Sequence, residues 1–445
     1  MVRVTRLPRD PGPAAWNALL PEPEPATPLD GATDADFLFI GAGFAGLAAA
    51  RRLSLGAPEA RIVVLDAVRV GEGPAGRNSG FMIDLPHDLA SDNYGGALEQ
   101  DRAQIRANRA AIDFALETAQ ALGLPDEAIT RSGKINAAAS ARGLKHNADY
   151  ARHLKALGEP HDFYDAARMQ AITGTDYYQG GLYTPHAAMI QPAMYVRGVA
   201  SGMRSNRVQV CENSPVTALE VDGAAWRAET PSGSVTAAKV ILAVNGHAQS
   251  FGFFKGRLAH VFTYGSMTRS LTPDEVTRLG GEPVWSATPA DPLGTTVRRL
   301  SGVGGDRIVV RNRFTYDPSM EVDQARIDAV ARDHDKAFRA RFPMLTDVAM
   351  AYRWGGRLCL SRNDAPAFGE VAPGLFAACC QNGLGVAKGT LAGMAAADLA
   401  LGASSDLLQF MQDEADPARL PPEPIAWLGA TAKIRWGERA AGAEL

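Results

Sequence analysis

The chain alternates between short, continuous apolar runs and longer segments with helical spacing. Asp36-Phe37-Leu38-Phe39-Ile40 is the first apolar run and suits a strand buried on both faces. A glycine turn follows, then the helix-like Leu47–Leu53, then Arg61-Ile62-Val63-Val64-Leu65-Asp66, a second buried strand ending in an acid. Strand, turn, helix and strand within about 30 residues make a parallel βαβ unit. Helical patterns occupy 97–122, 142–157, 163–173 and 193–204, the last just after Gln191-Pro192. Short strands are expected at 207–211, 214–220, 225–229 and 235–244, and 258–316 is strand-rich. A helix is expected over 321–341, then a last buried strand, Leu375–Cys379, running through a glycine turn into an Ala-rich helix ending near 402. The Pro-rich segments 1–29 and 415–445 read as an extended arm and tail.

Composition narrows the class. The 445 residues allow roughly three domains by length alone. With 46% hydrophobic and 21% charged residues, disorder is excluded as the main state. A net charge of −4 argues against a nucleic-acid or anionic-membrane partner. The four cysteines have no CxxC spacing, and histidines such as His186 and His247 have no ligand spacing, so no metal site is expected. The longest uncharged apolar stretch, 37–50, holds three glycines and is too short to span a bilayer. With no apolar leader-like segment, a cytoplasmic protein is expected. Glycine, at 45 of 445, exceeds the usual ~7% and points to tight turns and close backbone approaches.

Those glycines carry the chemistry. Gly41-Ala42-Gly43-Phe44-Ala45-Gly46 fits G-x-G-x-x-G in the required context, after a strand and opening a helix, with Asp66 ending the next strand. The first glycine makes the turn, the second admits a pyrophosphate, and the third allows close helix–strand packing. The helix N-terminus then faces the phosphates and Asp66 the ribose. FAD and NAD both satisfy this fingerprint. A second block, Gly71–Met82, starts five residues later and includes Gly76-Arg77-Asn78-Ser79-Gly80. With Asn245-Gly246 and Gly383-Leu384-Gly385-Val386, three chain-distant glycine sites would converge, which suits a cofactor as long as FAD.

At this point the chain resembles the FAD-dependent D-amino-acid-oxidase/glycine-oxidase superfamily (the DAO family), near its γ-glutamylputrescine-oxidase-like branch. The matching blocks are FIGAGFAG, AGRNSGF, the Gln191-Pro192 helix entry, SPVTALE, ILAVNG, RWGGRLCLSRNDAPAFGE and QNGLGVAKGTLAG, spread over roughly 35–402. The resemblance implies an α/β fold: a Rossmann-like FAD-binding domain with a parallel sheet, plus a β-rich substrate-binding domain. The FAD domain would collect 30–90, 185–250 and 350–402, and the substrate domain 91–184 and 251–349.

The resemblance also implies oxidation of a C–N bond, with hydride passing from the carbon beside an amine to flavin N5, and an imine and hydrogen peroxide as products. A dehydrogenase with another acceptor and a flavin-binding subunit of a hetero-oligomer stay open as alternatives. Position by position, Gly41, Gly43, Ala45 and Gly46 would hold the pyrophosphate, with Ala42 and Phe44 between them. Asp66 and Ala67 would meet the ribose and Val216 the adenine. Arg77, Asn78, Ser79 and Gly80, after Gly76, would lie beside the isoalloxazine. Asn245 and Gly246 would close one side, and Gly383, Leu384, Gly385 and Val386 would present a helix start to the flavin pyrimidine edge, where reduced flavin is anionic.

Two departures matter. Asp66 stands where the family usually has Glu, one methylene longer. The C-terminal loop lacks the branch's basic residue, and Lys388, one turn on, is the candidate substitute. Cys359 lies in the strand region where some relatives attach flavin, but its spacing to Asp364 differs, so non-covalent FAD is expected. Candidates for the substrate end are Phe81, Met82, His260, Tyr264, Trp354 and Asn382. Arg311 and Arg313 join them; strand alternation puts both on one face, where an arginine could clamp a carboxylate.

Overall fold

Five of the apolar runs become parallel neighbours, in the spatial order Val208–Cys211, Ile62–Leu65, Gly31–Ile40, Gly233–Leu242, Leu375–Cys379. This is a computed structural model, which describes residues 2–86 and 96–445. Antiparallel Ala218–Asp222 and Ala225–Thr230, the edge strand Val2–Arg3 and Ala367–Ala372 complete a nine-stranded sheet. Successive side chains divide between its faces. Phe37, Phe39, Ile62, Val64 and Ile241 join a core with the helices, whereas Leu38, Ile40, Val63, Leu65, Val240 and Leu242 join a separate core with Trp226 and Phe251. Both faces are covered, which is why the strands read as unbroken apolar runs.

The helical layer comprises Phe44–Gly56, Leu98–Ala121, Pro192–Met203 and Ala387–Leu401. Small residues let two of these helices touch backbone to backbone: a Cβ on Gly393 would lie 2.2 Å from the Ala45 carbonyl oxygen. Leu98–Ala121 belongs to this layer rather than to the second sheet. Its Ala107, Ala111, Ile112, Ala115 and Ala119 are buried with Phe44 and Val196, because an alanine face permits a close helix contact.

A second sheet of eight strands runs Met350–Ser361, Leu258–Thr268, Arg307–Tyr316, Thr296–Leu300, Trp285–Pro289, Lys134–Ala138, Gly180–Thr184, Asp162–Asp165. The expected grouping of 350–361 with the first sheet is corrected here, since this strand pairs along its length with Leu258–Thr268. A three-stranded sheet joins Phe81–Met82, Ala188–Ile190 and Ile129–Arg131. The expected boundary between 90 and 91 lies outside the described residues.

Three local expectations also change. The helix expected over 163–173 splits into the strand Asp162–Asp165 and the helix Ala166–Thr173, because the Asp165 side chain accepts from Arg168 N and starts the helix there. The strand expected at 214–220 runs Ala218–Asp222 instead. The tail is not extended throughout: its prolines stop at 424, and the proline-free run after them forms the helix Ile425–Ala441. Among the described residues, no single helix is long and apolar enough to cross a membrane. The bent pair Ala387–Leu401 and Asp406–Gln412 passes on length and composition together, yet most of the first helix is core.

Candidate active site

The parallel strands all end on one side, and the loops leaving them enclose a single cleft of ≈ 290 Å³. Open α/β sheets bind ligands at this edge. Gly41 turns the chain there at φ +106°, its N–H donating to Leu65 O at 2.7 Å. A Cβ on Gly46 would lie 1.8 Å from the Gly41 carbonyl oxygen, so this glycine serves the packing of turn on helix and does not line the cleft. Ala42, Gly43, Phe44 and Ala45 do line it, at the N-terminus of Phe44–Gly56. The first-turn N–H groups of a helix have no intrahelical partners, so they are free to meet an anion.

Asp66 lines the cleft with both carboxylate oxygens engaged. Oδ2 accepts from Ala42 N at 2.8 Å and Oδ1 from Val68 N at 3.0 Å. Burial pushes its pKa up to about 6, against the pull of those two N–H groups. The shorter carboxylate therefore shapes the glycine turn, with lone pairs left for a ribose hydroxyl. Ala67 and Val216 lie on the same stretch of wall.

From the opposite end of the chain, Gly383, Leu384, Gly385 and Val386 line the cleft where Ala387–Leu401 begins. Two helix N-termini thus open on one space. Asn382 also borders it, but its amide is a staple: Oδ1 accepts from Ser361 N at 2.7 Å and Nδ2 donates to Asp364 O at 2.7 Å. Asn245 borders the cleft at φ +50°, with Oδ1 accepting from Cys380 N at 3.1 Å.

The loop 71–80 forms the facing wall, with Arg77, Asn78 and Ser79 lining it. Its backbone is held from several sides. Asn78 Nδ2 donates to Ala75 O and Asn78 Oδ1 accepts from Gly80 N, while Trp354 Nε1 donates to Arg77 O. Arg298, buried between the Trp16 and Phe81 rings, donates to Ser79 O and Ile190 O, each at 2.9 Å. Gly76 and Gly80 serve tight packing and stay off the cleft: added Cβ atoms would lie 1.7 Å from Gly71 O and 2.0 Å from an Arg298 nitrogen. Gly246 is likewise a packing glycine, set against His260 and Cys359.

Beyond that loop the cleft is walled by Phe81, Ile83, Thr263, Tyr264, Arg311, Phe314 and Trp354. The Tyr264 hydroxyl shares a 2.7 Å hydrogen bond with Thr315 Oγ1, and burial lifts its pKa to about 12. Thr263 Oγ1 is buried without a hydrogen-bond partner. The Arg311 guanidinium lies 5.3 Å over the Phe314 ring. Among the described residues lining the cleft, Asp66 is the only acid.

Four candidates lie elsewhere. Met82, the strand neighbour of Phe81, points the other way into the helical core. Arg313 does not share the face of Arg311. The pairing shifts between Thr263 and Tyr264, Arg313 takes φ +59°, and its guanidinium pairs with Asp333 and Glu438. Lys388 pairs with Asp364 at 3.0 Å rather than replacing the missing basic residue. His260 is buried against Gln249, and burial chiefly, then Arg357, pushes its pKa down to about 4.

Other contributors were not singled out as lining the site, although Arg357 and Cys359 lie within the block RWGGRLCLSRNDAPAFGE. His247 and Arg357 contact each other and both line the cleft, as does Cys359, whose buried thiol its neighbour Cys380 and burial push well above the ordinary range. Val4, Arg6, Leu7 and Pro8 line it too, from the Pro-rich arm. No His/Cys/Asp/Glu group among the described residues could hold a metal ion.

Comparison with known proteins agrees with this geometry. The model of the FAD-dependent oxidoreductase family, DAO, matches residues 36–399. The chain is 27% identical over 398 residues to a probable oxidoreductase, OrdL, of Haemophilus influenzae, covering 86% of each chain. It is 24% identical over 382 residues to the γ-glutamylputrescine oxidoreductase of Escherichia coli, covering 85% of this chain and 86% of that one. The crystal structure of glycine oxidase from Geobacillus kaustophilus superposes with a TM-score of 0.69 at 18% identity, over 87% of this chain and all of that one. The motifs, the parallel sheet with its glycine turn and the match over most of the chain agree: this protein belongs to the DAO family of FAD-dependent oxidoreductases.

Proposed function

We propose that the protein oxidises the C–N bond of an amine or amino acid that carries a carboxylate, with FAD held non-covalently along the cleft. The observation that carries this reading is the convergence of two helix N-termini, Phe44–Gly56 and Ala387–Leu401, on one cleft at the strand ends. In this reading Gly41–Ala45 receive the pyrophosphate, Asp66 and Ala67 the ribose, and Val216 the adenine. Arg77, Asn78 and Ser79 back the isoalloxazine, and Gly383–Val386 present N–H groups to its pyrimidine edge. The raised Cys359 pKa supports non-covalent binding, because the thiolate is the reactive form.

When bound, FAD supplies a two-electron acceptor, taking hydride at N5 from the carbon that bears the nitrogen. The amine loses that hydride and one proton and becomes an imine, which water hydrolyses. The chain's part is to orient, to exclude water and to bind charge. Arg311 would take the substrate carboxylate, while Phe81, Ile83, Phe314 and Trp354 wall the reacting carbon from solvent. A polycationic amine would find no acid among the described residues at this end. The names of two similar proteins, a glycine oxidase and a γ-glutamylputrescine oxidoreductase, also point to nitrogen compounds with a carboxylate.

Oxygen completes the cycle in this reading, taking two electrons and two protons to give hydrogen peroxide. A panel of amino acids, N-substituted amino acids and unsubstituted polyamines tests the proposal, with turnover read as peroxide under air and as flavin bleaching without air. Carboxylate-bearing amines should bleach the flavin and polyamines should not. The reverse order would refute the substrate class, and bleaching without peroxide would assign a different acceptor.

A further inference from the structure

The family match begins at residue 36, yet four residues before it line the cleft. Residues 2–20 run from one end of this space to the other. Val2–Arg3 pairs with Ala218–Leu219, and Val4 N donates to Thr217 O at 2.9 Å, beside Val216. At the far end the fully buried Trp16 donates from Nε1 to Asn78 O at 2.8 Å, and Asn17 Nδ2 donates to Gly71 O at 2.6 Å. Both acceptors lie on the 71–80 loop.

Between these ends sits an ion pair. Asp10 Oδ2 lies 2.8 Å from an Arg357 terminal nitrogen, and the two side chains are 8% and 6% exposed. No other carboxylate among the described residues pairs with Arg357, whose remaining contacts are His247 and the Met320 carbonyl. Arg77 completes the attachment, donating to Pro11 O and Gly12 O. The arginines belong to the family-matched region and the groups they hold belong to the arm.

We propose that residues 2–20 are a cofactor-retaining strap, with the Asp10–Arg357 pair as its clasp. This rests on the assignment of the cleft to FAD. A dinucleotide lying between Val216 and Asn78 would pass beneath Val4, Arg6, Leu7 and Pro8, and could leave only after the strap lifts. The strap therefore sets the release rate of FAD rather than its chemistry. Asp10→Asn leaves the Arg357 charge buried without a counter-charge and loosens the clasp, since breaking one side of a buried pair is costly.

The experiment is FAD release from the loaded full-length protein, followed by the rise in fluorescence as flavin leaves, for wild type, Asp10→Asn and Asp10→Glu. Asp10→Asn should release FAD at least tenfold faster, and Asp10→Glu should restore part of the difference. The apoprotein Tm of Asp10→Asn should fall much less than its FAD-loaded Tm. Equal release rates, or equal loss of Tm with and without FAD, would overturn the strap. Hydrogen exchange on wild type gives a test without a variant. FAD should slow exchange at amides of residues 2–20 at least tenfold, and identical exchange in the apo and loaded protein would overturn the proposal. A wild type that takes up no FAD would overturn the cofactor reading itself, and the strap with it.

Discussion

The Trp354 indole Nε1 donates to the Arg77 carbonyl oxygen at 2.9 Å, so a residue of the eight-stranded sheet holds the glycine-rich loop that follows the nine-stranded one. Trp354→Phe keeps most of the ring and removes the donor, leaving a buried carbonyl short of a partner. Urea unfolding should register a loss of about 1–2 kcal/mol. FAD affinity should fall as well, because the loop loses one of its ties. Unchanged stability and affinity would mean that the other bonds to this loop suffice without it.

Two glycines separate folding from binding. A Cβ on Gly46 meets Gly41 O at 1.8 Å, whereas one on Gly385 meets nothing within 4 Å. Gly46→Ala should unfold the protein or sharply lower its Tm. Gly385→Ala should fold with the wild-type apoprotein Tm and yet bind FAD less tightly, because its methyl enters the cleft. The comparison is read by thermal unfolding and FAD titration; similar effects in both variants would contradict it.

Acid should weaken the apoprotein. Burial pushes the pKa values of His247, His260 and His334 down to about 3, about 4 and about 4. Unfolded histidine titrates near ~6.5, so between these limits the unfolded chain binds more protons. Stability from these groups is complete above about pH 6.5 and is lost as pH falls towards about 4. Asp66 works the other way: its folded value is about 6, so its cost is present above that pH and relieved below it. Burial raises Asp317, Glu414 and Glu444 in the same sense as Asp66. The Arg269 guanidinium instead holds Glu275 down to about 2, so Glu275 loses stability in acid alongside the histidines. The three histidines with Glu275 outweigh the raised carboxylates. The urea midpoint should be lower at about pH 4.5 than at about pH 7, and a higher midpoint in acid would reverse the sign argued here.

Arg311→Met tests the substrate end. Loss of a charge-assisted contact worth about 1.5–3 kcal/mol should raise KM for a carboxylate-bearing amine by about 10- to 150-fold. The kcat should change much less, and the corresponding ester should no longer distinguish variant from wild type. An unchanged KM would remove Arg311 from substrate binding.

The glycine turn was legible because its backbone tolerates nothing else: Gly41 needs a positive φ and Gly46 a missing Cβ. The buried parallel strands were legible from unbroken apolar runs, which few other settings accept. Less could be read where the decisive event is non-local. Arg313 leaves the face of Arg311 because one residue is added to its strand opposite Thr263 and Tyr264, and alternation counted along one strand cannot foresee that. Leu98–Ala121 was recognisable as a helix, but its packing against Ala387–Leu401 in the helical layer depends on a partner face distant in sequence. The arm has no periodicity, and its place over the cleft follows from Arg77 and Arg357, which reach it from elsewhere in the fold.

The most direct test is one anaerobic titration of the FAD-loaded protein with a carboxylate-bearing amine, recording the flavin absorbance and then denaturing the sample. The absorbance should bleach in proportion to substrate oxidised, and denaturation should release all of the flavin from the chain. A protein that binds no FAD, or whose bound flavin stays oxidised with every amine while another substrate class reduces it, would contradict the reading of this cleft as a site of C–N oxidation.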